Sequence, residues 1–145
     1  MRRSERIFGW TFIGILVLLA AVGHWARRGA ERTCAYDGGK IEPLYRVRFV
    51  SEEGDREFCC LRCAELWLRG DKVGPRSVTV TDEASGTEIN AAAAHYVRSL
   101  VVTNRTTGNR IHAFMNEHDA AEHARSVGGR LLQADERPFA VLNRP

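Results

Sequence analysis

Three of the four cysteines fall within Cys59-Cys60-Leu61-Arg62-Cys63, and the fourth, Cys34, opens Cys34-Ala35-Tyr36-Asp37-Gly38-Gly39 upstream. Thiols that bracket a helix start, joined by a ligand or two from a preceding turn, are how small α+β modules grip a soft metal. Cys59 and Cys63 are four positions apart and Cys60 and Cys63 three apart, so either pair can share a helix face. A helix N-terminus also favours the thiolate, which is the ligating form. Zinc prefers four ligands, and Cys34, Asp37, Cys59 and Cys63 supply a Cys3Asp set. Thiolate-rich, low-coordinate surroundings with a spare thioether suit Cu(I) instead. Met115 is the one methionine besides Met1 and is the candidate thioether, although core filling accounts for such a residue as well.

Two other chemistries compete for the same cysteines. Cys60-Leu61-Arg62-Cys63 is a Cys-x-x-Cys at a helix start, but the βαβ context and the usual interior of a dithiol redox motif are missing. An even cysteine count in a small exported domain is also what structural disulfides look like. His95, His112, His118 and His123 either ligate or pack. His118-x-x-x-Glu122-His123 sets its first histidine one residue too far for an inverted zinc-protease helix. With no glycine-rich phosphate loop and no Ser-His-Asp order, the chain reads as a binding protein and not as an enzyme.

The elements that must position these residues form an α+β pattern that runs twice. Partial alternation predicts a strand over 44–50, a turn at 51–55, a second strand over 56–59, a helix over 60–68 stopped by Gly70, and a third strand over 77–81. The second half opens with a turn at 82–86 and a short piece over 87–90. An alanine-rich helix is then expected over 91–96 and a strand over 97–103, with a hairpin loop at 104–109 and a returning strand over 110–115. Asn116 caps a helix with Glu117 and Asp119 in its first turn and Ala120, Ala124 and Val127 on its buried stripe, ended by Gly128-Gly129. A last strand covers 130–134, and 137–145 is expected as a loose tail. The ββαβ order therefore repeats at an offset of about 56 residues, aligning Phe58 with Phe114, Cys59 with Met115 and Cys63 with Asp119.

Charge is unevenly spread. Residues 1–32 carry six arginines against Glu5 and Glu31, so the formal net charge of +3 belongs there and the remainder is close to neutral. That disfavours a basic face for nucleic acid, and no nucleic-acid partner is expected. Residues 7–25 hold no charged side chain and are long enough to cross the roughly 30 Å hydrocarbon core as a helix, with Trp10 and Trp25 near its ends. Arg2, Arg3 and Arg6 before it balance Arg27, Arg28 and Arg32 after it, so charge alone leaves the orientation open. Ala21-Val22-Gly23 is a passable cleavage site, but the apolar run exceeds a usual signal core, and an uncleaved anchor is expected.

At these residues the chain resembles the NosL family of membrane-associated copper accessory proteins for nitrous oxide reductase. Its first half is also similar to TRASH/YHS-type metal-binding modules. Cys34-x-x-Asp37-Gly38 stands where such sequences have Cys-x-x-Cys-Gly, and Phe58-Cys59-x-x-x-Cys63 matches the helix-start thiols. Val80-Thr81-Asp82-Glu83-Ala84-Ser85-Gly86, Ala94-His95-Tyr96-Val97, Ala113-Phe114, Asp119-Ala120 and Gly128-Gly129 follow in order. Asp37 replaces a cysteine, Gly39 stands where a Cys-Gly-Met motif has its methionine, and Cys60 is an additional thiol. The resemblance implies an exported Cu(I) protein of two ββαβ repeats that delivers copper to a maturing enzyme cluster.

The expectation is thus an anchor and linker over 1–32, a first ββαβ module over 33–82 and a second over 83–136. Cu(I), or alternatively zinc, is held by Cys34, Cys59 and Cys63, with Cys60, Met115 and Asp37 as further candidates. The expected setting is the inner membrane, single-pass, with the soluble part in the periplasm and a copper donor or acceptor metalloenzyme as partner. The other reading is a zinc-stabilised or disulfide-stapled interaction module of a membrane complex.

Overall fold

Alternation of apolar and polar residues makes the first sheet. β1 (Val47–Val50) lies between β2 (Arg56–Phe58) and β3 (Ser77–Thr81), and β4 (Glu88–Asn90) closes the far edge, all antiparallel in the order β2-β1-β3-β4. The register sets Val47 opposite both Phe58 and Val80, and Phe49 opposite Val78, so these side chains share one face. That face is buried. α1 (Leu61–Gly70) covers it with Leu61, Cys63 and Ala64, and Trp67 packs its ring 5.8 Å from Phe49 and 5.6 Å from Phe58. The opposite face carries the ion pairs of Arg46 and Arg48 with Glu88. The computed structural model describes residues 32–70 and 74–143.

The second sheet has β5 (His95–Arg98) between β6 (Ile111–Phe114) and β7 (Arg130–Leu131), again antiparallel. In both sheets the first strand is central, the second follows by a hairpin and the third returns after a helix. Tyr96 and Ala113 face the large core shared with the first sheet. Val97 and Phe114 face α2 (Glu117–Val127), where Ala120 and Ala124 complete a smaller cluster. Asn116 caps α2 by accepting the Asp119 N–H at 2.9 Å, and Gly128 ends it in the left-handed region at φ 66°.

Several boundaries differ from the expectation. Residues 91–93 form a turn in which Asn90 accepts the N–H of Ala92 at 2.8 Å and of Ala93 at 3.1 Å; no helix forms over 91–96. A few alanines cannot nucleate a helix alone, and Tyr96 and Val97 are each buried on opposite faces, which only an extended chain allows. β5 accordingly starts and ends earlier than expected, and its neighbours 99–103 leave the sheet. Pro43 opens a short 3-10 turn, so β1 begins at Val47. The last strand is cut to Arg130–Leu131. β4, placed by the sequence beyond the first module, pairs with β3.

The described part of the tail is not loose: Phe139 is buried and meets Phe49 edge-on at 5.5 Å. The apolar 7–25 stretch lies outside the described residues, and among those no helix is long and apolar enough to cross a membrane.

Candidate metal centre

The thiols converge because a small turn is laid along β2. Thr33 bridges Lys40, the Cys34 N–H donates to the Gly39 carbonyl at 2.8 Å, and Gly38 turns the chain at φ 69°. The Ala35 N–H donates to the Glu57 carbonyl at 2.9 Å, which docks the turn on the strand that leads into Cys59. Asp37 is oriented by the Gly39 N–H on its Oδ1 at 3.0 Å. Between β2 and α1 the chain bends at Cys59 and Cys60, and Cys63 follows in the first helical turn.

The ligand atoms of Cys34, Asp37, Cys59 and Cys63 all lie within 4.8 Å of one another. Cys59 Sγ is 3.4 Å from Cys63 Sγ, and Cys63 Sγ is 3.3 Å from Asp37 Oδ2. A metal–sulfur bond of about 2.3 Å puts neighbouring ligands of a tetrahedron about 3.8 Å apart. The donor set fits one ion. All four cysteines are free thiols; Cys63 is fully buried, Cys34 and Cys59 nearly so, and Asp37 is the most open of the four.

Fold comparison adds one match at this point. The crystal structure of the copper chaperone NosL from Shewanella denitrificans superposes with a TM-score of 0.63 at 22% identity, covering 75% of this chain and 91% of that one. The fold is NosL-like. By sequence, no known family's pattern matches the chain, and neither does any curated protein.

Within this NosL-like framework the remaining candidates separate. Cys60 precedes α1 and serves as its N-cap, accepting the Cys63 N–H on Sγ at 3.4 Å. Its sulfur lies 3.5 Å from Thr107 Oγ1 and stands outside the four-residue group. Met115 directly follows β6 and is 47% exposed, its N–H donating to Asp82. His95 begins β5. His118 is exposed on α2, grouped with Asp119 and Glu122.

His112 and Phe114 share a face of β6, as alternation requires. His112 is buried between Glu83 Oε2 at 2.8 Å and Ser99 Oγ at 2.9 Å, with the His123 ring 4.5 Å away. In space Ser99, His112 and Glu83 line up as Ser-His-Glu, with Ser99 4% exposed and His112 1%. These contacts tie the 82–86 turn to β6 and to Ser99 just past β5.

Electrostatics divide the corner. Burial works against ionising Asp37, yet the Gly39 N–H, the Cys34 and Cys63 thiols and the Asn104 amide outweigh it and hold the carboxyl at about 2. Burial pushes the Cys59 thiol up. Cys63 is raised too, by its contact with Cys60 and then by burial. Cys60 is lowered by its hydrogen bonds from Cys63 and Thr107. An ion held here would meet a carboxylate already ionised and would have to displace protons from Cys59 and Cys63.

Sequence reading missed two contributors. Asn104 Nδ2 is 3.0 Å from Cys59 Sγ, and Thr107 Oγ1 is 3.9 Å from Cys63 Sγ. Both belong to the β5–β6 loop, and only its turn chemistry was visible in Asn104-Arg105-Thr106-Thr107-Gly108-Asn109.

Proposed function

We propose that this chain is a Cu(I) carrier that takes the ion on Cys34, Cys59 and Cys63, with Asp37 beside them, and hands it to an acceptor. The observation that supports this most is the convergence of three thiols and one carboxylate within 4.8 Å in a NosL-like fold shared with a copper chaperone from Shewanella denitrificans. Transfer proceeds by exchange. An acceptor thiolate or other soft ligand bonds to the ion as one of the three thiolates leaves and takes up a proton, with no change in the oxidation state of the copper. Cys60 is read as the helix cap and Met115 as a surface thioether.

The proposal extends to setting and architecture. The 7–25 stretch anchors the chain once in the inner membrane, the thiol corner works in the periplasm, and the two strand-strand-helix-strand halves are a duplicated ββαβ unit. The acceptor is a copper enzyme under assembly, such as nitrous oxide reductase. Four donors rather than two or three favour a second reading, a zinc-stabilised interaction module.

Competition separates them. The reduced full-length chain is titrated with Cu(I) against a chromophoric chelator, and with Zn(II) in parallel. The carrier reading expects Cu(I) held more tightly than by a simple thiol peptide. Weaker Cu(I) retention combined with tight zinc binding overturns it in favour of the module.

A further inference from the structure

The loop joining β5 to β6 leaves the second sheet, passes over the thiol corner and returns to the same sheet. It is built to stay there. Asn109 is 3% exposed, donates its N–H to the Asn104 carbonyl at 3.1 Å, and sends its side-chain amide to Thr103 Oγ1 at 2.6 Å and the Ile111 carbonyl at 3.0 Å. Gly108 supplies the left-handed residue at φ 65°. Asn104 then has only one way to face. Its Oδ1 accepts the N–H groups of Thr106 at 2.8 Å and Thr107 at 3.1 Å, an Asx turn, so its Nδ2 is turned to the corner. There it lies 3.0 Å from Cys59 Sγ, 3.4 Å from Asp37 Oδ2 and 3.9 Å from Cys63 Sγ.

We propose that Asn104 is a positioning and selectivity residue for the ion, donating its amide hydrogens to the Cys59 sulfur and the Asp37 carboxylate so that the corner tolerates a monovalent charge. This rests on the metal-carrier reading above. Of the four negative charges that Cys34, Asp37, Cys59 and Cys63 bring as ligands, Cu(I) compensates one and Zn(II) two. Hydrogen bonds to ligand atoms offset part of the excess and fix the ligand's orientation. The monovalent ion leaves more excess, so it depends on the donor more. Asn104 also reaches two ligands from separate segments, the 33–40 turn and the β2–α1 junction, and holds their spacing before an ion arrives.

The decisive variant is Asn104→Asp. Aspartate keeps the acceptor for Thr106 and Thr107, and with it the turn, but offers the thiolates an anionic oxygen where the wild type offers N–H. In the reduced full-length chain, Cu(I) affinity by chelator competition is expected to fall by about 10- to 100-fold, and Zn(II) affinity by a smaller factor. A Cu(I) loss under tenfold overturns the proposal, and so does a Zn(II) loss as large as the Cu(I) loss. If Asn104→Asp fails to fold, Asn104→Ser keeps one turn acceptor on a stem too short to reach the sulfur and is judged by the same criteria. The two readings fail differently. Wild type that holds Cu(I) no better than a thiol peptide sinks the carrier function itself, whereas tight wild-type binding with an unaffected variant sinks only the role of Asn104.

Discussion

Cys59 and Cys60 are neighbours in the chain with opposite duties. Cys59 Sγ meets Cys63 and Asp37, while Cys60 Sγ caps the helix through the Cys63 N–H. Serine is a strong N-cap, so Cys60→Ser is expected to keep metal affinity within about threefold and leave the helix intact. Cys59→Ser and Cys63→Ser each remove a soft ligand and are expected to lose more than about tenfold. Chelator competition on the three variants reads this, and equal losses for all three would place Cys60 among the ligands.

Asp37 makes a second prediction, for the metal-free protein. Its folded carboxyl sits at about 2, below the ordinary 3.8, so the ionised form favours the folded state. The stability it adds is present above about pH 4 and is lost as pH falls toward 2. Denaturant titrations from pH 7 down to pH 2 should show wild type more stable than Asp37→Asn at neutral pH, with the gap closing in that window. A gap independent of pH would mean that the carboxylate contributes by shape alone.

At the scale of elements, α2 shows how far local chemistry decides and where packing takes over. Its cap at Asn116 and its stop at Gly128 follow from local backbone rules. Gly129 is a different matter. A Cβ there would lie 2.8 Å from the Arg98 carbonyl oxygen and 3.1 Å from Val97 Cγ1, so glycine is required because β7 passes so close to β5. Gly129→Ala is expected to cost about 1–3 kcal/mol through this overpacking, read as a shift in denaturation midpoint without a change in slope. A neutral result would show that β7 can move off β5 freely. The 91–96 segment makes the same point in reverse: alanine favours helix, but the demand to bury Tyr96 and Val97 on opposite sides wins.

At the scale of the molecule, the two halves share one core. Tyr96, Ala113 and Leu132 from the second half pack in the same cluster as Val47, Phe49 and Phe58 from the first. The C-terminal segment closes this cluster through Phe139, whose ring lies on Phe49 although its backbone adopts φ 61°. A non-glycine residue held there has packing to compensate for the backbone cost. Phe139→Ala is expected to destabilise the fold by about 3 kcal/mol, measured by chemical denaturation. A loss below about 1 kcal/mol would make the segment the loose tail that its composition suggests.

By itself the sequence determined the α+β class, the strand-strand-helix-strand order, both ends of α2 and a field of six ligand candidates, Cys34, Asp37, Cys59, Cys60, Cys63 and Met115, from which the structure groups four. Each of these depends on periodicity, on capping chemistry or on donor type, which are properties of a residue and its near neighbours. Only the tertiary structure decided that Cys60 caps while Cys59 and Cys63 converge, that Phe139 is buried, and that Asn104 reaches the sulfurs from 45 positions away. Those depend on how two sheets meet around one core, and a contact between distant segments leaves no periodic trace in either of them.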